Sequence, residues 1–226
     1  MPVVEIQPNL KHDDLARLLG SPKGRIASNS LNKKLKHWKK RTRQIIRPRL
    51  VYQKHKLKKV SAGIIQLDGN YRLKSAKLSR TLRRSKEIIC FLATIGAGIE
   101  KEIKLLMGQK RLGEAYLVDA MGSIMVEDLV EQFQSHMGEH YRLQGQLVGL
   151  RFSPGYCDWP VTEQKKLFKL IDCQKVGVEL TDSCLMKPRK SISGVFGLIP
   201  CPEGKDLRTY NPCADCNKFD CPARRS

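Results

Sequence analysis

The chain has 226 residues with 41% hydrophobic and 28% charged side chains and a net charge of +20. That composition supports a folded core of one domain with at most a small appendage, and it excludes wholesale disorder. No run of about 18 apolar residues is present, so no membrane span is expected.

The N-terminus, Met1-Pro2-Val3-Val4-Glu5, lacks a basic region followed by an apolar run, and no signal peptide is read there. A cytoplasmic chain is expected, in which the eight cysteines serve as thiols or metal ligands rather than disulfides. The charge is uneven. Positions 21–60 carry fifteen Lys or Arg and no acid, and a second basic stretch runs from Arg72 to Lys86. Such a field attracts polyanions. No nucleic-acid motif accompanies it, so nucleic acid is the weaker expectation and a basic solvated face the plainer one.

In chain order, Val3 to Ile6 reads as a strand and a helix follows, capped by Asp13 or Asp14 and ended by Gly20. Leu31, Leu35 and Trp38 give the basic segment a loose helical spacing until Pro48 stops it. Leu50–Leu57 and Val60–Leu67 read as extended pieces, with a hairpin-type turn at Asp68-Gly69. Leu78–Lys86 is expected to be helical, and Glu87–Thr94 to be a buried strand. Gly96-Ala97-Gly98 comes next, but Lys101 stands where a dinucleotide fingerprint needs its third glycine. Ile99–Met107 reads as a helix closed by Gly108. Glu114 to about Gln134 is the longest helix, with Val118, Met121, Met125, Leu129 and Phe133 as its buried stripe. Glu127, Ala120 and Ser123 fall on the opposite face.

His136-Met137-Gly138-Glu139-His140 has the spacing of an inverted zinc-protease helix. Gly138 weakens the helix and no third ligand is evident, so a polar helix terminus is the better reading. Leu147–Leu150 reads as a short strand closed by Arg151, and Pro154-Gly155 forces a turn. An arginine beside such a turn suits a ligand carrying a carboxylate and a flat polar ring. Pro160 starts a helix through Leu167, Phe168 and Ile171, and Val176–Leu180 and Ser191–Ile199 read as strands.

In the last 26 residues Cys201, Cys213, Cys216 and Cys221 bring four thiols together, with Cys213-Ala214-Asp215-Cys216 placing two on one turn. Four thiolates could close a zinc site or hold an iron–sulfur cluster, and a tail of reduced cysteines is the alternative. The division expected is a domain over 1–200 containing the basic segment 21–60, and a cysteine-rich tail over 201–226. Cys90, Cys157, Cys173 and Cys184 are read as structural.

The order Arg151-Phe152-Ser153-Pro154-Gly155-Tyr156, a helix, Leu180-Thr181-Asp182-Ser183-Cys184-Leu185-Met186-Lys187-Pro188 and Ser191-Ile192-Ser193-Gly194 closely resembles the activation domain of cobalamin-dependent methionine synthase, over at least residues 88–199. The resemblance implies an α+β domain with a twisted, mostly antiparallel sheet flanked by helices. It implies a role in reductive reactivation, with S-adenosylmethionine as methyl donor and cobalamin carried by a partner. That partner would be a methionine synthase lacking its own activation domain or another corrinoid methyltransferase, with an acidic flavodoxin- or ferredoxin-like protein supplying the electron. The same resemblance implies that Arg151 pairs with the ligand carboxylate and that backbone at Phe152, Ser153 and Gly155 meets the adenine. Tyr156 would lie toward the cobalt. A pattern resembling Asp119-Ala120-Met121-x5-Glu127 would bring Glu127 to the cationic amino-acid end. An aromatic segment that the family carries after its Ser-x-Ser-Gly strand has no match, leaving Tyr210 as substitute, and the N-terminal acidic contact would fall to Asp13 or Asp14. If methyl-donor binding were lost through these departures, a docking or electron-transfer protein with a Cys-ligated metal would be the alternative.

Overall fold

The computed structural model describes residues 3–11, 14–15, 29–201 and 219. Its strands are β1 (Val3–Val4), β2 (Arg49–Ser61), β3 (Ile64–Leu67), β4 (Arg72–Lys74), β5 (Glu87–Thr94), β6 (Gln146–Val148), β7 (Glu179–Leu180), β8 (Met186–Lys187) and β9 (Ser191–Pro200). Its helices are α1 (Asn29–Ile45), α2 (Ala76–Leu82), α3 (Gly98–Gly108), α4 (Leu112–Arg142) and α5 (Gln164–Lys169). One sheet has the order β4-β3-β2-β5-β9-β6, with β1 paired to β2, and β7 and β8 form a separate ribbon. The α+β class expected from the sequence is the one observed.

β5 is continuous because Ile88 to Thr94 are all buried, and a strand covered on both faces reads as an unbroken apolar run. All five residues of the expected α4 stripe are fully buried. That helix is longer than its stripe suggested, running through Gly138 to Arg142 with His136 and His140 exposed on it. Three other boundaries differ. β2 does not break at Lys58; a bulge between Leu57 and Lys59 absorbs the lysine pair, and the chain turns at Ala62-Gly63, where Gly63 has φ 79°. α2 begins earlier than expected because Ser75 caps it, its Oγ accepting from the Leu78 amide at 2.9 Å. Cys173–Val176 is a 3₁₀ turn, leaving only Glu179–Leu180 extended.

The chain divides into two compact units. The first comprises Met1–Val51, Leu92–Phe133 and Cys173–Ile192. Within it Trp38 is buried and donates from Nε1 to Glu114 Oε2 at 2.8 Å, and Glu114 is also held by Arg111 at 2.7 Å. The bond from Arg111, with that from Trp38, keeps the Glu114 carboxyl below the ordinary range despite its burial. The Asn9 amide donates to Asp128 Oδ2 at 2.7 Å, fastening the N-terminal segment to α4.

The second unit comprises Tyr52–Phe91, Gln134–Asp172 and Ser193–Ser226. Its buried His55 bridges Asp68 Oδ1 and the Leu170 carbonyl, each at 3.1 Å. Among the described residues no helix is long and apolar enough to cross a membrane.

Candidate functional site

The Arg151–Tyr156 stretch is built on β9. β6 pairs with β9 in antiparallel register, Gly149 continues the ladder to the Gly197 carbonyl, and Phe152 and Val195 then exchange two backbone bonds of 2.8 Å. Gly194 makes this approach possible. A Cβ there would lie 2.8 Å from the Phe152 carbonyl oxygen and 2.9 Å from Ser153 Oγ. The last residue of the Ser-x-Ser-Gly pattern is therefore glycine because the turn segment occupies the space of a side chain. Ser193, the residue before it, accepts from the buried Gln164 side chain.

After Phe152 the chain leaves the sheet. Tyr156 N–H donates to Ser153 O at 3.2 Å, Gly155 N–H to Trp159 O at 2.8 Å, and Trp159 N–H to Tyr156 O at 3.0 Å, so the turn closes on itself. Gly155 takes φ 91°, a value that favours glycine, and is exposed. Tyr156 is 51% exposed, Arg151 half-buried and Ser153 half-buried. These four residues stand together in the second unit. Cys157 follows in the left-handed region at φ 54° and is exposed, whereas Cys90 and Cys184 are buried. Burial pushes the Cys90 thiol well above its usual range, consistent with a structural role.

Two carboxylates that the sequence did not single out hold the turn in place. Asp158 accepts from Ser75 Oγ at 2.7 Å and from the Ala76 amide at 2.6 Å, with the Lys77 amide at 3.2 Å, at the start of α2. Glu163 accepts from the Lys74 amide at 3.0 Å and pairs with Lys166 at 2.6 Å. An acid after a Pro-Gly turn is the only local signal for Asp158, and its partner Ser75 lies 83 positions away. Desolvation pushes the Asp158 carboxyl up, but the bonds from Ser75 and the Lys77 and Ala76 amides outweigh it and hold it below its ordinary value of 3.8. Because the folded pKa is depressed, the stability it contributes is present above the unfolded value and is lost as pH falls through the folded one. Asp158→Asn should therefore lower the melting temperature at neutral pH, as expected for losing about 1 kcal/mol of capping. The gap from the parent should narrow below about pH 4. Melting curves across pH check this, and a gap that stays constant into acid would assign the effect to shape rather than charge.

Glu127 lies in the first unit, exposed on α4. The small residues on its helix lie against a close neighbour. Ala120 is 6% exposed, Ile99 and Lys190 take the space over Gly122, and Lys190 Nζ meets Ser123 Oγ and Asp119 Oδ1 at 2.8 Å each. The small residues accommodate a neighbouring lysine. In the same unit the Leu180–Pro188 stretch forms the β7–β8 hairpin, closed by Thr181 Oγ1 accepting from the Leu185 amide at 3.0 Å, and Lys187-Pro188 is cis.

Of the tail cysteines, Cys201 is half-buried, and its amide donates to the Gly145 carbonyl at 2.8 Å. Cys213, Cys216, Cys221, Tyr210 and Asp13 lie outside the described residues. Among the described residues no cluster of three or more His, Cys, Asp or Glu is placed to hold a metal. Asp14 is described and half-buried.

The antiparallel sheet flanked by helices matches the fold of a methionine synthase reactivation domain. The chain is similar in shape to the MetH reactivation domain, solved as a crystal structure bound to AdoHcy, with a TM-score of 0.59 and 18% identity over 85% of this chain and 71% of that one. The family model described as "Vitamin B12 dependent methionine synthase, activation domain" matches residues 81–203, more than half the chain, and the protein belongs to that family.

Proposed function

We propose that the chain binds S-adenosylmethionine at the Arg151–Tyr156 turn and presents it to a corrinoid held by a methionine synthase or another corrinoid methyltransferase. The observation that carries the reading is the rigid seating of that turn, which lies inside the family match and is fixed at both ends. Gly194 and Val195 hold its start, and Asp158 and Trp159 hold its close. When bound, S-adenosylmethionine supplies a methyl group to the reduced corrinoid, with one electron from an acidic flavodoxin- or ferredoxin-like donor, and leaves as S-adenosylhomocysteine.

The chain's own residues fit such a ligand. The Arg151 guanidinium offers a planar donor fork for the carboxylate. Exposed backbone at Gly155, with Ser153 beside it, can meet the adenine edge without a Cβ in the way. Tyr156 presents a half-exposed ring toward the partner. These groups position and shield the ligand, and the turn asks no side chain to move a proton. Glu127 belongs to the other unit, and Glu127→Gln tests separately whether it takes any part in binding.

Calorimetric titration with S-adenosylmethionine tests the proposal. Saturable binding should weaken about tenfold to a hundredfold in Arg151→Ala, the loss of one charge-assisted pair, and Arg151→Lys should recover only part of it. Unchanged affinity in Arg151→Ala would remove Arg151 from the site, and no binding by the intact chain would sink the methyl-donor role.

A further inference from the structure

The register of β2, β3 and β4 in the second unit sorts side chains by face. Val60, Ile65 and Leu73 stand opposite one another, and Ile65 and Leu73 are fully buried. The rows Lys59–Gln66–Arg72 and Ser61–Ile64–Lys74 share the other face, because strand side chains alternate. Lys59, Arg72 and Lys74 are exposed, as are Lys56 and Lys58 at the bulge, and none of the five forms an ion pair among the described residues. The nearby acids already have partners of their own, although the Lys58 charge also acts on Asp68. Asp68 accepts from His55 and from the Lys56 amide, and Glu163 is held by Lys166 and the Lys74 amide. On the middle strand, β3, stands Ile64, 40% exposed between Ser61 and Lys74.

Lysines that merely protect a sheet edge would suffice on β4 alone. Here the charge stands on β2 and β4, on either side of Ile64 and Gln66 of β3, which is the anatomy of a protein interface: an apolar spot flanked by a charged rim. We propose that this face docks an acidic protein that sets carboxylates against Lys59, Arg72 and Lys74 and covers Ile64. A nucleic acid suits it less well. The face offers no aromatic ring for base stacking, and phosphates would meet an isoleucine at its centre. The surface goes beyond the methyl-donor reading, since all of it precedes residue 81, where the family match begins.

The test uses the full chain and labelled probes read by fluorescence anisotropy: an oligoglutamate, the same peptide with two central leucines, and an oligothymidylate of matching charge. The leucine-containing peptide should bind most tightly. Lys59→Glu/Arg72→Glu/Lys74→Glu together should weaken it at least about tenfold. Ile64→Ser should weaken it severalfold while leaving oligoglutamate binding unchanged. Should the charge reversals unfold the chain, the corresponding triple glutamine variant keeps the same order of affinities with a smaller loss. Equal binding by parent and triple variant overturns the face, and tighter oligothymidylate binding lost in the triple variant makes it a nucleic-acid surface. No readout involves S-adenosylmethionine, so failure here leaves the methyl-donor proposal standing, and failure there leaves this one.

Discussion

Gly98→Ala is expected to destabilise the protein by about 3 kcal/mol, the upper end for inserting one methyl group into a packed interior. On an unpacked helix surface the same change would stabilise by roughly 0.5–1 kcal/mol, because glycine is the poorer helix former. The sign reverses because of what lies against Gly98. A Cβ there would sit 2.1 Å from the Ile45 carbonyl oxygen and 2.9 Å from its carbonyl carbon, at the end of α1. Those are backbone atoms, and no rotamer change moves them. Nor can the α1 terminus swing away freely: two residues on, the Arg47 amide donates to the Ile95 carbonyl at 2.8 Å, tying the exit of α1 to the exit of β5. The melting temperature should fall by roughly 6–12 °C for a chain of this size. Gly113→Ala is the control, since nothing lies within 4 Å of its added Cβ, and it should be neutral or slightly stabilising. A Gly98→Ala variant that melts with the parent would refute the close approach of α1 and α3. The glycine pair that a dinucleotide fingerprint might have claimed is thus spent on packing: Gly98 admits α1, and Gly96 makes a left-handed turn at φ 77°.

What the sequence revealed depended on whether the cause was local. β5 was legible because every residue from Ile88 to Thr94 is buried, and α4 because its stripe is regular over about four turns. The Pro154-Gly155 turn was legible because proline and glycine each restrict the backbone on their own. The lysine pair at positions 58 and 59 misled, because a bulge lets two neighbouring residues of one strand face solvent, which strict alternation forbids. Around the candidate site, Arg151, Ser153, Gly155 and Tyr156 lie within six consecutive residues, and the family resemblance of that stretch singled them out. Asp158 and Glu163 could not, because their roles are set by Ser75, Ala76 and Lys74, far away in the chain. The same holds for Lys190, which packs by Gly122 and bonds Ser123 from 67 positions away in the chain.

Trp159 carries the other large effect. It is 1% exposed and among the largest fully buried side chains, with its ring 6.2 Å from Phe152. Its backbone closes the turn through Gly155 and Tyr156. Trp159→Ala should cost about 3–5 kcal/mol, a fall in melting temperature of roughly 10 °C or more. By emptying the space beneath the turn it should also weaken S-adenosylmethionine binding at temperatures where the variant is still folded. Trp159→Phe separates the two things the indole can do. Nε1 is buried and makes no hydrogen bond among the described residues, and an unsatisfied buried donor costs about 1–3 kcal/mol. Removing it offsets much of the volume lost, so Trp159→Phe should melt within a few degrees of the parent. If packing is the whole role, its affinity for S-adenosylmethionine should be kept as well. A phenylalanine variant that melts like the parent yet binds the ligand far more weakly would mean that the indole N–H serves the ligand rather than the fold. The pair of measurements therefore distinguishes a buttress beneath the turn from a donor within the site.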